Sequence, residues 1–198
     1  MKTILLNIKK HLIIYIVAII LVPIALCLTF ELKTKTPKKE MFSIFITSNE
    51  IHREEMASSF NDIIANNGIT ELTIFNESPE TNLLYDDELF TKGIAMSDLL
   101  IVPESKMNEN FAINNLHNYK YLATNGLNYG EETKQTFGLK IFDNTIRTSP
   151  LDEFINFEYK EENYYLVISS NSYHYSDYIN NDDSLLKSMI DWFVNYGK

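Results

Sequence analysis

The sequence predicts an α/β fold: an N-terminal transmembrane helix followed by a single three-layer αβα domain with a mostly parallel or mixed five-stranded sheet. Three observations predict it. The run Leu12–Phe30, LIIYIVAIILVPIALCLTF, holds no charged residue over 19 positions, close to the ~20 apolar residues that span a bilayer as a helix. Residues 41–75 read as strand, helix, strand, a βαβ unit whose crossover is right-handed and whose strands are parallel. Three further short apolar runs follow, and an amphipathic helix closes the chain.

In chain order, residues 1–11 are the N-terminal segment and 12–30 the membrane helix; lysines flank that helix on both sides, so their count does not decide its orientation. A run of this length hides its backbone polar groups only as a helix, which Pro23 kinks. A cleaved signal peptide has a core of ~7–15 apolar residues and a small-residue cut site, and this run exceeds the first and lacks the second. A buried core helix is the other alternative. Residues 31–40, ELKTKTPKKE, form a charged linker, and 41–198 form the domain. Met41–Ile46 is a buried strand. Thr47 and Glu50 stand three apart as a capping box, opening a helix of about 18 residues with Met56, Phe60, Ile63 and Ile64 on its apolar face. Gly68 stops it, and Ile69–Phe75 is the second strand.

Residues 76–92 predict a loop with a short helix around 83–90. The four aliphatic residues Leu99–Val102, between Asp98 and Pro103, are the third strand, residues 104–122 hold a short helix, and 125–135 is a polar loop. Phe137–Phe142 is the fourth strand, and residues 143–162, broken by Pro150, carry no clear pattern. Tyr164–Ile168 is the fifth strand and 169–181 a loop. The closing helix runs over 183–196, with Leu185, Leu186, Met189, Ile190, Phe193 and Val194 as its stripe and Asp182 or Asp183 as its cap.

Charge divides the chain sharply. Residues 1–40 carry seven Lys and two Glu, a balance of +5, whereas 41–198 carry ten Lys or Arg and 25 Asp or Glu, a balance of −15. A domain this acidic excludes nucleic acid and anionic lipid as natural partners. The single cysteine, Cys27, lies inside the apolar run, so the domain has no disulfide or cysteine metal site. Leu26 before it is not the small residue that a lipoprotein signal wants, which argues against a lipid there.

Few residues suggest chemistry. His52 has Glu50, Glu54 and Glu55 beside it, but the spacing is not H-E-x-x-H, so a polar cap at a helix start is its expected role. His117 has no partner. His174 neighbours Ser172, Ser176 and Asp177, a nucleophile, base and acid by type, but without a G-x-S-x-G turn. Asp86-Asp87-Glu88 and Asp182-Asp183 lack calcium-loop spacing. No catalytic residue, metal or cofactor is assigned. Tyr164, Tyr165, Tyr173, Tyr175 and Tyr178 could stack a sugar, although a chain with twelve Tyr makes such clusters unsurprising. Thr47-Ser48-Asn49 sits where a strand hands over to a helix and offers hydroxyls, an amide and free N–H groups to a polar ligand.

Three stretches together carry a resemblance. MFSIFITSNEIHREEMASSFNDI, SDLLIVPESKM and NYYLVISSNSYHYSDYINNDDSLLKSMIDWFV resemble segments of bacterial extracellular solute-binding proteins of the type 2 class. Such proteins have two lobes, whereas about 35 residues separate Val102 from Phe137, too few for a second lobe. The resemblance therefore implies one membrane-anchored, truncated lobe. It places the N-terminus inside and the domain outside the cell membrane, as a single-pass binding or accessory module of an ABC-type transporter. The expected partners are the membrane, an integral permease and a small polar solute. The expected contacts are Thr47, Ser48 and Asn49 beyond the first strand, Glu104 beyond the third, and Ser170, Asn171 and Ser172 beyond the fifth. In a parallel sheet these gather at the strands' carboxyl ends. The alternatives are a membrane-anchored hydrolase and a structural subunit that binds no ligand.

Overall fold

The computed structural model describes residues 16–25, 36–129, 135–157 and 161–197. The chain forms two compact units, Met1–Pro37 and Lys38–Lys198. In the first, residues 16–25 are helical, with Ile16, Ile19, Ile20, Leu21 and Ile24 exposed. The rest of the run Leu12–Phe30, including Cys27, lies outside the described residues, as do residues 1–11 and residues 31–35 of the linker. Among the described residues no helix is long and apolar enough to cross a membrane.

The second unit is a mixed α/β domain. Its strands are β1 (Met41–Thr47), β2 (Glu50–Ile51), β3 (Glu71–Glu77), β4 (Leu99–Pro103), β5 (Leu116–His117), β6 (Gly126–Tyr129), β7 (Gln135–Phe142), β8 (Ile155–Asn156) and β9 (Tyr164–Ser169). Its helices are α1 (Arg53–Ser59), α2 (Asn61–Asn66), α3 (Tyr85–Glu88, continued as a π-turn over Leu89–Ile94), α4 (Glu109–Asn115), α5 (Tyr175–Asn180) and α6 (Leu185–Asn195). The main sheet has seven strands, not five, in the order β3-β1-β4-β9-β7-β6, with β5 added beside β9. β3, β1 and β4 are parallel, whereas β9, β7, β6 and β5 are joined by antiparallel pairing. β2 and β8 form a separate antiparallel ladder.

Alternation along the central strands builds two apolar layers, because side chains of a strand point to opposite faces in turn. Phe42, Ile44, Ile46, Leu99, Ile101, Tyr164, Leu166 and Ile168 join one cluster with α1, α2 and α6. Phe45, Leu100, Val102, Tyr165 and Val167 join the other with α3, its π-turn and α4. With both faces covered, these strands read as continuous apolar runs, and that is why they were visible in the sequence.

Several local expectations are corrected. Thr47 ends β1 and does not cap a helix. The chain stays extended through β2, held by Asn49 N–H on the Asn156 carbonyl (3.1 Å) and His52 N–H on the Phe154 carbonyl (2.8 Å). The helix then starts at Arg53 without a side-chain cap. It is also interrupted: Ser58 and Ser59 hydroxyls donate back to the carbonyls of Glu54 (2.8 Å) and Met56 (2.6 Å), competition that weakens a helix, and α2 begins after Phe60. Gly68 does stop it, at φ +68°. Residues 126–129 of the expected loop form β6, and 175–180 form α5. Ser184, not Asp182 or Asp183, caps α6 by accepting from Lys187 N–H (3.4 Å). Its stripe is as expected, with Leu185, Leu186, Met189, Ile190 and Phe193 buried.

Candidate functional site

The antiparallel direction of β9 decides where the expected contacts fall. Leu99 pairs with Ile168 and Pro103 with Tyr164, so β9 finishes where β4 begins. Thr47, Ser48, Asn49 and Glu104 therefore lie at one end of the sheet, and Ser170, Asn171 and Ser172 at the other. The seven residues do not converge, because their gathering required a fifth strand parallel to the first and third.

At the first end, Thr47 and Ser48 are fully buried. Thr47 Oγ1 is 2.6 Å from the Tyr85 hydroxyl. The Asn76 amide, in its hydrogen-bonding orientation, donates to Ser48 Oγ and to the carbonyls of Ser48 (3.3 Å) and Ile46 (3.2 Å). Asn49 is exposed, and its side-chain oxygen accepts from the Ser78 hydroxyl at 3.4 Å. Lys92 bridges Glu77 (2.6 Å) and Glu88 (3.2 Å). Hydrogen bonds to Glu77 and then to Glu88 push its pKa up. Glu104 is exposed and accepts from Asn163 Nδ2 at 2.7 Å. Burial first, and the Glu104 charge second, push the Tyr165 phenol up to about 12.

At the second end, Asp98 organises the residues. It is 7% exposed. Its Oδ1 accepts from the Ser172 hydroxyl (2.8 Å) and its Oδ2 from the Ser43 backbone N–H (3.1 Å). Ser169 Oγ donates to the Ile94 carbonyl (2.6 Å) and accepts from Asn171 N–H (3.1 Å), while Asn171 Nδ2 donates to the same carbonyl (3.1 Å). His174 Nε2 donates to the Met41 carbonyl at 2.8 Å. Ser172 and His174 thus serve different acceptors, and that pair is not set up as nucleophile and base.

The tyrosines are also occupied. Tyr164 and Tyr165 are buried in the two apolar layers. Tyr175 stacks on His117 at 3.6 Å between ring centroids, and burial lowers the His117 pKa. Tyr178 accepts from Lys120 N–H at 3.1 Å. Tyr173 remains exposed. Among the described residues no group of His, Cys, Asp and Glu is placed to hold a metal ion.

Open space lies elsewhere. A cleft of about 270 Å³ runs between residues 119–123 and α6, with Leu139, Lys187, Ile190 and Asp191 among its walls. Another, of about 220 Å³, lies by Ile141, Ser149, Leu151 and Phe193. Neither contains any of the seven expected contacts, but Tyr178, one of the tyrosines that could stack a sugar, lines the first. Sequence reasoning missed the first because residues 119–123, Tyr-Lys-Tyr-Leu-Ala, carry no motif, and the wall forms only when β7 and α6 bring distant residues to them. It also gave no role to Tyr85, whose hydroxyl meets Thr47 across 38 residues of sequence. Comparison with family models, with curated proteins and with solved structures finds no match to this chain.

Proposed function

We propose that the chain is a membrane-tethered accessory module whose acidic domain lies outside the cell membrane and docks on an integral membrane partner, a permease of the ABC type being the expected class. The run Leu12–Phe30 carries this reading: 19 residues without a charge, of which 16–25 are helical with apolar side chains outward. Its length matches a bilayer core. Tethering raises the domain's effective concentration near a membrane partner to about the millimolar range, so a modest interface suffices. The internal engagement of Thr47, Ser48, Ser172 and Asp98 favours a protein partner over capture of a small polar solute.

Cross-linking in intact cells, followed by detergent extraction and pull-down through a C-terminal tag, tests the proposal. A permease or its ATPase should be recovered with the full chain and lost when 12–30 is replaced by a cleavable signal peptide. Recovery of neither component from the full chain removes the transport reading.

A further inference from the structure

We infer that the outer edge of β3 takes an extended segment of a partner protein as an added strand, and that this segment carries Lys or Arg at both ends of an apolar, β-forming centre. The inference rests on the reading of the chain as a docking module and names its surface. β3 is a terminal strand of the sheet, bonded on one side only, to β1, along all seven residues Glu71–Glu77. Among the described residues, no donor or acceptor meets the backbone of Leu72–Phe75 on its other side. A free edge of this length is a ready template for another chain, and strand addition supplies main-chain hydrogen bonds without a pre-formed pocket.

Charge selects the occupant. Glu71 is exposed and makes no ion pair among the described residues. At the other end Lys92 is shared by Glu77 and Glu88, so that trio keeps one net negative charge. A second copy is a poor occupant. Symmetric antiparallel pairing about Ile74 would set Glu71 opposite the partner copy's Glu77 at both ends, and like charges facing across strands destabilise the pair. Between the acids, Leu-Thr-Ile-Phe has the branched and aromatic side chains that suit a strand. The balance of −15 over the domain steers a basic segment toward it.

The test uses the full chain in detergent micelles and three acetylated, amidated heptapeptides as probes. One is Lys-Val-Thr-Ile-Thr-Val-Lys, one has Glu at both ends, and one is Lys-flanked with Pro at its centre, which cannot pair along its length. Backbone hydrogen exchange is followed by mass spectrometry. The Lys-flanked peptide should slow exchange across 71–77 and bind about tenfold more tightly than the Glu-flanked one, because opposite charges face each other at both ends of the pair. The Pro peptide should do nothing, and Glu71→Lys should reduce or reverse the preference. The inference is overturned if no peptide slows exchange at 71–77, if the Pro peptide does so equally, or if the two flanks act alike. Protection of 71–77 by self-association, seen by sedimentation without peptide, overturns it as well. A permease recovered in the pull-down while these probes fail removes the edge and leaves the docking role standing.

Discussion

Replacing Asp98 with Ala tests whether the second sheet end is structural. Asp98 precedes β4, and its carboxylate holds the Ser43 N–H of β1 and the Ser172 hydroxyl beyond β9. Hydrogen bonds to a charged group contribute ~1.5–3 kcal/mol each. Ser43 and Ser172 are only half-buried, so water can reach the freed donors and the lower figure applies to both. Asp98→Ala should therefore cost ~3 kcal/mol. For a domain of this size each kcal/mol lowers Tm by ~2–4 °C, giving a fall of ~6–12 °C by thermal denaturation of the full chain in detergent. Asp98→Asn keeps one oxygen acceptor and should fall between. Ser172→Ala, which removes one of the two bonds, should cost ~1.5 kcal/mol, and the Asp98→Ala/Ser172→Ala double variant should cost less than the two together. A loss under ~0.5 kcal/mol for Asp98→Ala, within the ordinary range for surface positions, would refute the reasoning and return Ser172 to the pool of ligand contacts.

Other outcomes follow from the same structure. Tyr85→Phe leaves the Thr47 hydroxyl buried without its Tyr85 partner and should cost ~1–3 kcal/mol by denaturant titration. Gly68→Ala should cost ~1 kcal/mol, because an L side chain is strained at φ +68°; an unchanged midpoint would contradict that. Burial raises the phenols of Tyr119 and Tyr165, the latter to about 12. Their folded values stand above the unfolded value near 10, so the stability they contribute is complete below pH ~10 and is lost as pH rises through the folded values. Absorbance titration should show these phenols ionising late, with alkaline unfolding; ionisation of all phenols in one step near pH 10 would contradict the burial. Asp143 is held well below the ordinary carboxylate range, first by its hydrogen bond from Lys140 and then by those from Thr145, so Lys140→Ala should raise its pKa by NMR titration.

The fold was legible where burial is two-sided. β1, β4 and β9 are apolar on both faces and were found within a residue or two, as was the stripe of α6. The parallel order of β1 and β3 followed from the helical connection between them. The direction of β9 did not. A buried run such as Tyr164–Ile168 reads alike in parallel and antiparallel settings, and only its pairing with β4 fixes which way it points. That one unknown scattered the expected contacts to opposite ends of the sheet. β6 and β2 escaped notice because they are four and two residues long; β6 pairs with the next strand, β7, but is irregular in register, whereas β2 draws its partner β8 from far along the chain. The capping box failed for a related reason: Thr47 and Glu50 have the right spacing, but the ladder with β8 keeps the backbone extended. Asp98 was seen as the residue before a strand. Its role as an acceptor from β1 and from the chain after β9 depends on contacts spanning 55 and 74 residues, which no local pattern reveals.

The tether is the part of the proposal on which the rest depends, and carbonate extraction of membranes from cells making the full chain tests it most directly. A chain anchored by Leu12–Phe30 stays in the washed membrane pellet at its full mass, while a variant lacking 12–30 does not. Release of the full chain into the carbonate supernatant, or recovery of a product shortened past residue 30, would contradict a membrane-tethered module.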